Sequence, residues 1–238
     1  MLQNLKALYG HKLAASDGDI GRVKDFFFDD NTWAIRYLIV DTGSWLTERL
    51  VLLSPHALAK LDQYEKTLHV KLHKKQIENS PMIESCEPVS RQHEMEYYRY
   101  YGWPAYWVGG ARWGIGGNPN NLPPAPEKTK TLLHPLLGAG QHLQSTRAAA
   151  GYQIQTDQGV IGTLSSFSVD DRSWMLRELI VETRDWKEIL IPSEQIKRID
   201  HDESMVLVNH TKTDAQWTAG KQLTEAWAGK TGTKNFPA

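Results

Sequence analysis

The chain has 238 residues, a formal net charge of −1 at pH 7 and a sequence pI of about 6.8, so it lacks the basic excess that usually meets nucleic-acid phosphates. Its 40% hydrophobic and 23% charged content reads as soluble and globular, and no run approaches the ~20 apolar residues of a membrane-spanning helix. The single cysteine, Cys86, excludes an intrachain disulfide and fits a reducing cytoplasm, and the opening MLQNLKALYGHKL has no apolar run of signal-peptide length.

In chain order, Ser16-Asp17-Gly18-Asp19 reads as a turn, followed by a strand over 20–28. Asp29-Asp30-Asn31-Thr32 is a polar turn, because Asp and Asn side chains bond the nearby backbone. The most apolar strand covers 33–40, and another covers 49–53. Ser54-Pro55 opens a short helical turn presenting Leu58, and a further strand covers 67–72.

Residues 82–145 change character. Tyr97, Tyr98, Tyr100, Tyr101, Trp103, Tyr106, Trp107 and Trp113 crowd into 17 residues, and Gly109-Gly110, Gly116-Gly117 and Pro123-Pro124-Ala125-Pro126 then read as an irregular linker. So much aromatic surface will not float free in water. It either docks on a sheet or forms a candidate interaction surface for a protein or a lipid interface.

The grammar then returns: a turn at Asp157-Gln158-Gly159, a strand over 160–169, and a turn at Asp170-Asp171-Arg172-Ser173. Strands follow over 174–181 and 188–191, then a Pro192-Ser193 turn presenting Ile196, and a last strand over 204–208. Residues 10–45 and 151–186, offset by 141, share 14 identities in 36 ungapped positions, where chance gives roughly 2. The expected organisation is therefore two modules, 1–81 and 146–217, a connecting segment over 82–145, and a poorly ordered tail over 218–238.

The repeated residues look structural. Gly18, Gly21, Gly159 and Gly162 mark turns and bends in strands, and Asp29 and Asp170 start turns. Trp33 and Trp174 fit core packing, and Arg36 and Arg177 have Asp41 and Glu182 as candidate partners. Catalytic signatures are missing. His69 and His73 share a strand face but sit roughly 13 Å apart. His201 and His210 have no third ligand nearby, so no metal and no cofactor are expected. Gly114-Ile115-Gly116-Gly117 lacks the third glycine of a dinucleotide loop.

The segments SDGDIGRVKDFFFDDNTWAIRYLIVDTG and TDQGVIGTLSSFSVDDRSWMLRELIVET resemble the PRC-barrel domain, the family of the photosynthetic reaction-centre H subunit's cytoplasmic domain and of the C-terminal half of the ribosome maturation factor RimM. The resemblance covers about residues 5–80 and 146–217. It implies an all-β fold of two tandem small antiparallel barrels with short helical turns. It also implies a docking or assembly role rather than an enzyme, with the barrels paired within the chain or as a homo-oligomer. The expected function is a non-catalytic adaptor. A membrane-associated accessory of an electron-transport or photosynthetic-type complex, or a small-ligand-binding module, are the alternatives.

Overall fold

Runs rich in Val, Ile, Phe and Tyr, bounded by Gly and Asp turns, make this chain predominantly β. The structure is a computed structural model describing residues 1–46, 49–81, 89–108, 111–114, 117–120 and 143–209. Cys86, Gly109-Gly110, Gly116, Pro123–Pro126, His210 and the 218–238 tail lie outside the described residues. The elements of the first half are β1 (Leu2–Asn4), α1 (Leu5–Leu8), β2 (Lys12–Ala15), β3 (Gly18–Asp29), β4 (Ala34–Asp41), β5 (Leu50–Leu53), β6 (Leu58–Asp62), β7 (Thr67–Val70), α2 (Lys74–Glu78) and α3 (Arg91–Tyr101). There follow β8 (Leu143–Ser145), α4 (Thr146–Ala149), β9 (Gln153–Thr156), β10 (Gly159–Asp170), β11 (Met175–Thr183), β12 (Glu188–Pro192), β13 (Ile196–Asp200) and β14 (Met205–Val208).

The sequence repeat is also a repeat of elements. β8, α4, β9, β10 and β11 each begin 141 residues after β1, α1, β2, β3 and β4. From β12 onward the shift is 138, because β11 is one residue longer than β4 while the loop after it is four residues shorter than the one before β5.

The chain divides into two compact units. The first holds Met1–Ala149 together with Phe167–Arg177, the tip of the β10–β11 hairpin. Its strands pair in the path β5-β4-β3-β2-β7-β6. The antiparallel barrel that the family resemblance implies differs from this sheet in two respects. The β2–β7 pair is parallel, because the chain crosses over through four strands before β7 returns beside β2. β5 and β6 do not pair, so the sheet stays open. Between them the turn Pro55–Ala57 redirects the chain, and β6 leaves to pair with β7. The second unit, Ala150–Ser166 with residues 178–238, repeats the pattern, with β10-β9-β14-β13 in sequence, β11 on β12, and a parallel β9–β14 pair.

Inside the first unit two pairings are images of each other under the 141-residue shift. β1 lies on β10, from Leu2↔Asp170 to Asn4↔Ser168. β8 lies on β3, from Leu143↔Asp29 to Ser145↔Phe27. Each N-terminal strand thus pairs with the long strand of the other copy. The two hairpin turns also meet: Ile35 N donates to Trp174 O and Leu176 N to Trp33 O, both at 2.8 Å. Trp33 and Trp174 adopt left-handed backbone, φ 62° and 53°, which strains a bulky residue by about 1–2 kcal/mol. The strain persists because each tryptophan N–H closes its turn on Asp29 O or Asp170 O at 2.7 Å. Each indole then stacks on a buried phenylalanine, the half-buried Trp33 on Phe28 and the buried Trp174 on Phe26.

Gly21 explains its own recurrence. A Cβ there would lie 2.1 Å from Asp41 O, and at Gly162 one would lie 2.4 Å from Glu182 O. Only glycine lets the bent long strand approach its neighbour so closely. The pairing register slips beside both residues, as expected of a bulge.

Candidate functional site

β4 is buried on both faces from Ala34 to Val40, which is why it reads as an apolar run interrupted only by Arg36. One face meets the core of the first copy. The other presents Tyr37 and Ile39, joined by Phe27 of β3 and Leu52 of β5, and it needs a cover. α3 supplies the cover. Ser90 caps its start, accepting from His93 N at 3.3 Å, and Gly102 ends it with φ 68°. Glu94, Tyr97, Tyr98 and Tyr101 fall at helical spacing on the side turned to the sheet.

The cover is bolted down by polar groups. The Tyr97 hydroxyl donates to Leu52 O at 2.9 Å and accepts from Ser54 N at 3.1 Å, satisfying backbone groups where β5 ends. Tyr37 and Tyr106 both donate to Glu94 Oε1 at 2.8 Å, and Arg91 pairs with Oε2 at 2.9 Å. Burial pushes the Glu94 carboxyl above its ordinary range, against the pull of Arg91 and the two hydroxyls. Burial likewise lifts the Tyr37 and Tyr97 hydroxyls well above their ordinary value, so they stay protonated.

Arg36 is 1% exposed, yet its charge is fully answered. The guanidinium donates to Asp29 Oδ2 at 2.9 and 3.3 Å, to Thr32 Oγ1 at 2.9 Å and to Arg112 O at 2.7 Å. It lies over the Tyr106 ring at 3.8 Å and near Trp113 at 5.0 Å, where ring quadrupoles favour a cation. His56 closes the cluster among Tyr98, Trp103 and Trp113, with Nδ1 bonded to Pro119 O at 2.8 Å. Burial pulls its pKa down to about 4, so the imidazole is neutral at pH 7 and Nδ1 is the donor.

Of the eight aromatic residues marked from sequence, Tyr97, Tyr98, Tyr106 and Trp113 are buried, and Tyr101, Trp103 and Trp107 are half-buried. Only Tyr100 is exposed, at 42%, and its hydroxyl donates to Gln76 O. Trp113 Nε1 donates to Ser173 O at 2.9 Å. The segment therefore covers the second face of the β3–β5 sheet, and its rings are turned inward. The equivalents of Phe27 and Tyr37 under the repeat are Ser168 and Glu178, so the second copy keeps Ile180 and Leu190 but lacks the two aromatic residues that α3 covers.

The arginine partners need correction. Arg36 pairs with Asp29 rather than Asp41, and Arg177 lies 3.7 Å from Asp170 rather than beside Glu182. Positions 36 and 41 differ by an odd number, so their side chains leave opposite faces of the strand. Asp29 sits opposite Ala34, two residues before Arg36, on the same face. The aspartate that shapes each turn therefore also receives the arginine.

Among the described residues no group of three or more His, Cys, Asp or Glu could hold a metal ion. His73 bonds Ser16 Oγ at 2.8 Å and stands at the start of α2, while His69 belongs to β7. Sequence reading missed Glu94, Arg91, Tyr37 and His56. The signal for the first was the spacing Glu94, Tyr97, Tyr98, Tyr101, one face of a helix that ends at Gly102. Nothing local in sequence marked His56.

No curated protein matches the chain in sequence. Residues 10–77, from Gly10 to the end of the first copy's strands and into α2, match the family model of the PRC-barrel domain.

Proposed function

We propose that the chain is a non-catalytic adaptor in which two PRC-barrel-like copies form an intrachain pair and offer their outer surfaces to a protein partner. The observation that carries this reading is the reciprocal pairing of β1 with β10 and of β8 with β3. The two contacts are equivalent under the repeat, as in the isologous interface of a homodimer, but here both halves belong to one chain. The buried groups around Arg36 and Glu94 are consumed by structure, which also favours a scaffold. The aromatic segment that motivated a lipid-interface reading is mostly turned inward, so the outward-facing aromatics are the better partner contacts. Tyr64 is 93% exposed and Trp186 84% exposed, each in the turn of a hairpin.

Light scattering of the full chain is expected to give a monomer at micromolar concentration. A concentration-dependent dimer would mean that the strands are exchanged between chains instead. Cross-linking followed by mass spectrometry is expected to place a partner near Tyr64 or Trp186, with the link lost in Tyr64→Ala and Trp186→Ala variants. Partner cross-links that persist in both variants would sink the choice of surface.

A further inference from the structure

The outer face of the first copy carries a row of cations. Lys12 of β2 and Arg22 of β3 are register partners, and Lys24 follows two residues along, on the same face. Lys66 sits beside them, its carbonyl accepting the backbone N–H of Lys12 at 3.0 Å. All four side chains are exposed. Among the described residues none of the four takes part in an ion pair. They border two adjoining open troughs of about 650 and 370 Å³, which share Gly10, Lys12 and Arg22. Volumes of this order suit a small molecule.

The internal repeat acts as a control. Lys12, Arg22 and Lys24 correspond to Gln153, Thr163 and Ser165 in the second copy, and Lys66 corresponds to Ser204. Lys66 and Ser204 even share the same left-handed backbone, φ 49° and 50°. Of the acids beside the row, Asp41 is matched by Glu182 and Glu65 by Glu203, while Asp19 becomes Val160. The same scaffold thus forms without the four cations, so folding does not require them. Only the first copy gathers positive charge here, in a chain whose net charge is −1.

We propose that this trough of the first copy binds a small ligand carrying two or more linked phosphate groups. The cations stand about 5 Å apart across strands and about 7 Å apart along one, a spread that fits several linked anionic groups better than one. Lysines supply mobile point charges, and the Arg22 guanidinium, anchored through Nη1 on Gly10 O at 3.0 Å, supplies a planar donor fork. The site stands independently of the adaptor reading, because it uses neither the intrachain pairing nor Tyr64 and Trp186.

The test is calorimetric titration of the full chain with inorganic pyrophosphate, alongside the variant Lys12→Gln, Arg22→Thr, Lys24→Ser, which installs the residues of the second copy. These side chains are exposed, so thermal unfolding of the variant is expected to match the parent. Saturable binding to one site, weakened about tenfold or more in the triple variant and weakened by added salt, is the expected result. Should the triple variant fold poorly, Lys66→Ser alone is expected to weaken binding severalfold. Absence of binding at about 10 mM pyrophosphate, a value well above useful affinities for such a site, would overturn the proposal. So would equal affinity in parent and variants, or binding to phosphatidylserine vesicles without binding to pyrophosphate.

Discussion

Replacing Tyr97 by Phe removes one oxygen and keeps the ring. In the folded chain that oxygen serves two backbone groups at once, Leu52 C=O at 2.9 Å and Ser54 N–H at 3.1 Å. Tyr97 is 0% exposed, so no water can replace the lost partner without opening the cluster. Each orphaned buried group costs about 1–3 kcal/mol, so the expected loss is about 2–4 kcal/mol. For a chain of this size that corresponds to a fall in Tm of roughly 5–15 °C. The control is Tyr100→Phe in the same helix, whose hydroxyl is exposed and donates to Gln76 O, with an expected cost below about 0.5 kcal/mol. Denaturant melts of the two variants, read at constant slope, separate them. If both variants unfold like the parent, α3 does not cover the β3–β5 sheet and the account of the aromatic segment is wrong.

Gly21→Ala is expected to cost about 3 kcal/mol or more and to sharply lower the yield of folded protein, because its Cβ would meet Asp41 O at 2.1 Å. Gly43→Ala, with nothing within 4 Å of the new Cβ, is expected to cost about 1 kcal/mol, and equal melts for the two would refute the close approach. His56 sets a pH dependence. Its folded pKa of about 4 lies below the ordinary 6.5, so the unfolded chain binds more protons between those values. Stability from keeping His56 neutral is whole above pH 6.5 and is lost as pH falls toward 4, by about 3 kcal/mol at most. Glu94, raised by burial, acts in the opposite sense, losing stability as pH rises through its folded pKa. The His56 contribution is therefore read as the difference between parent and His56→Phe in melts across pH 4–6.5, and a flat difference would refute it.

Much of the fold was legible because it rests on local chemistry. The Asp29 and Asp170 turns, the apolar β4 and β11 strands and the two bend glycines follow from residue type and spacing. The parallel β2–β7 pair was not legible, since β2 is four residues long and its partner lies more than fifty residues away. Nor were β1 and β8, whose three residues gain meaning only through Asp170 and Asp29. At the aromatic segment, composition indicated that the surface must be covered, and the helical spacing of Glu94 to Tyr101 held the missing half of the answer. Strand parity alone excluded Asp41 as the Arg36 partner, while Asp29 followed only from the register across the turn.

The reciprocal strand pairing also sets a timetable for synthesis. Leu2–Asn4 pair with Ser168–Asp170, so about 166 residues must be translated between the two halves of that contact. At 5–20 residues per second this is a wait of roughly 10–30 s, far longer than the microseconds in which hairpins form. The first copy leaves the ribosome with β3 short of its β8 partner and β1 unpaired, a state whose open edges invite pairing with other nascent chains. The last step of folding in the first unit is then the docking of the Phe167–Arg177 hairpin tip and the closure of β1 on β10. An arrest placed just before residue 167 should hold the chain in a form open to proteolysis at its N-terminus, and release past residue 177 should protect it.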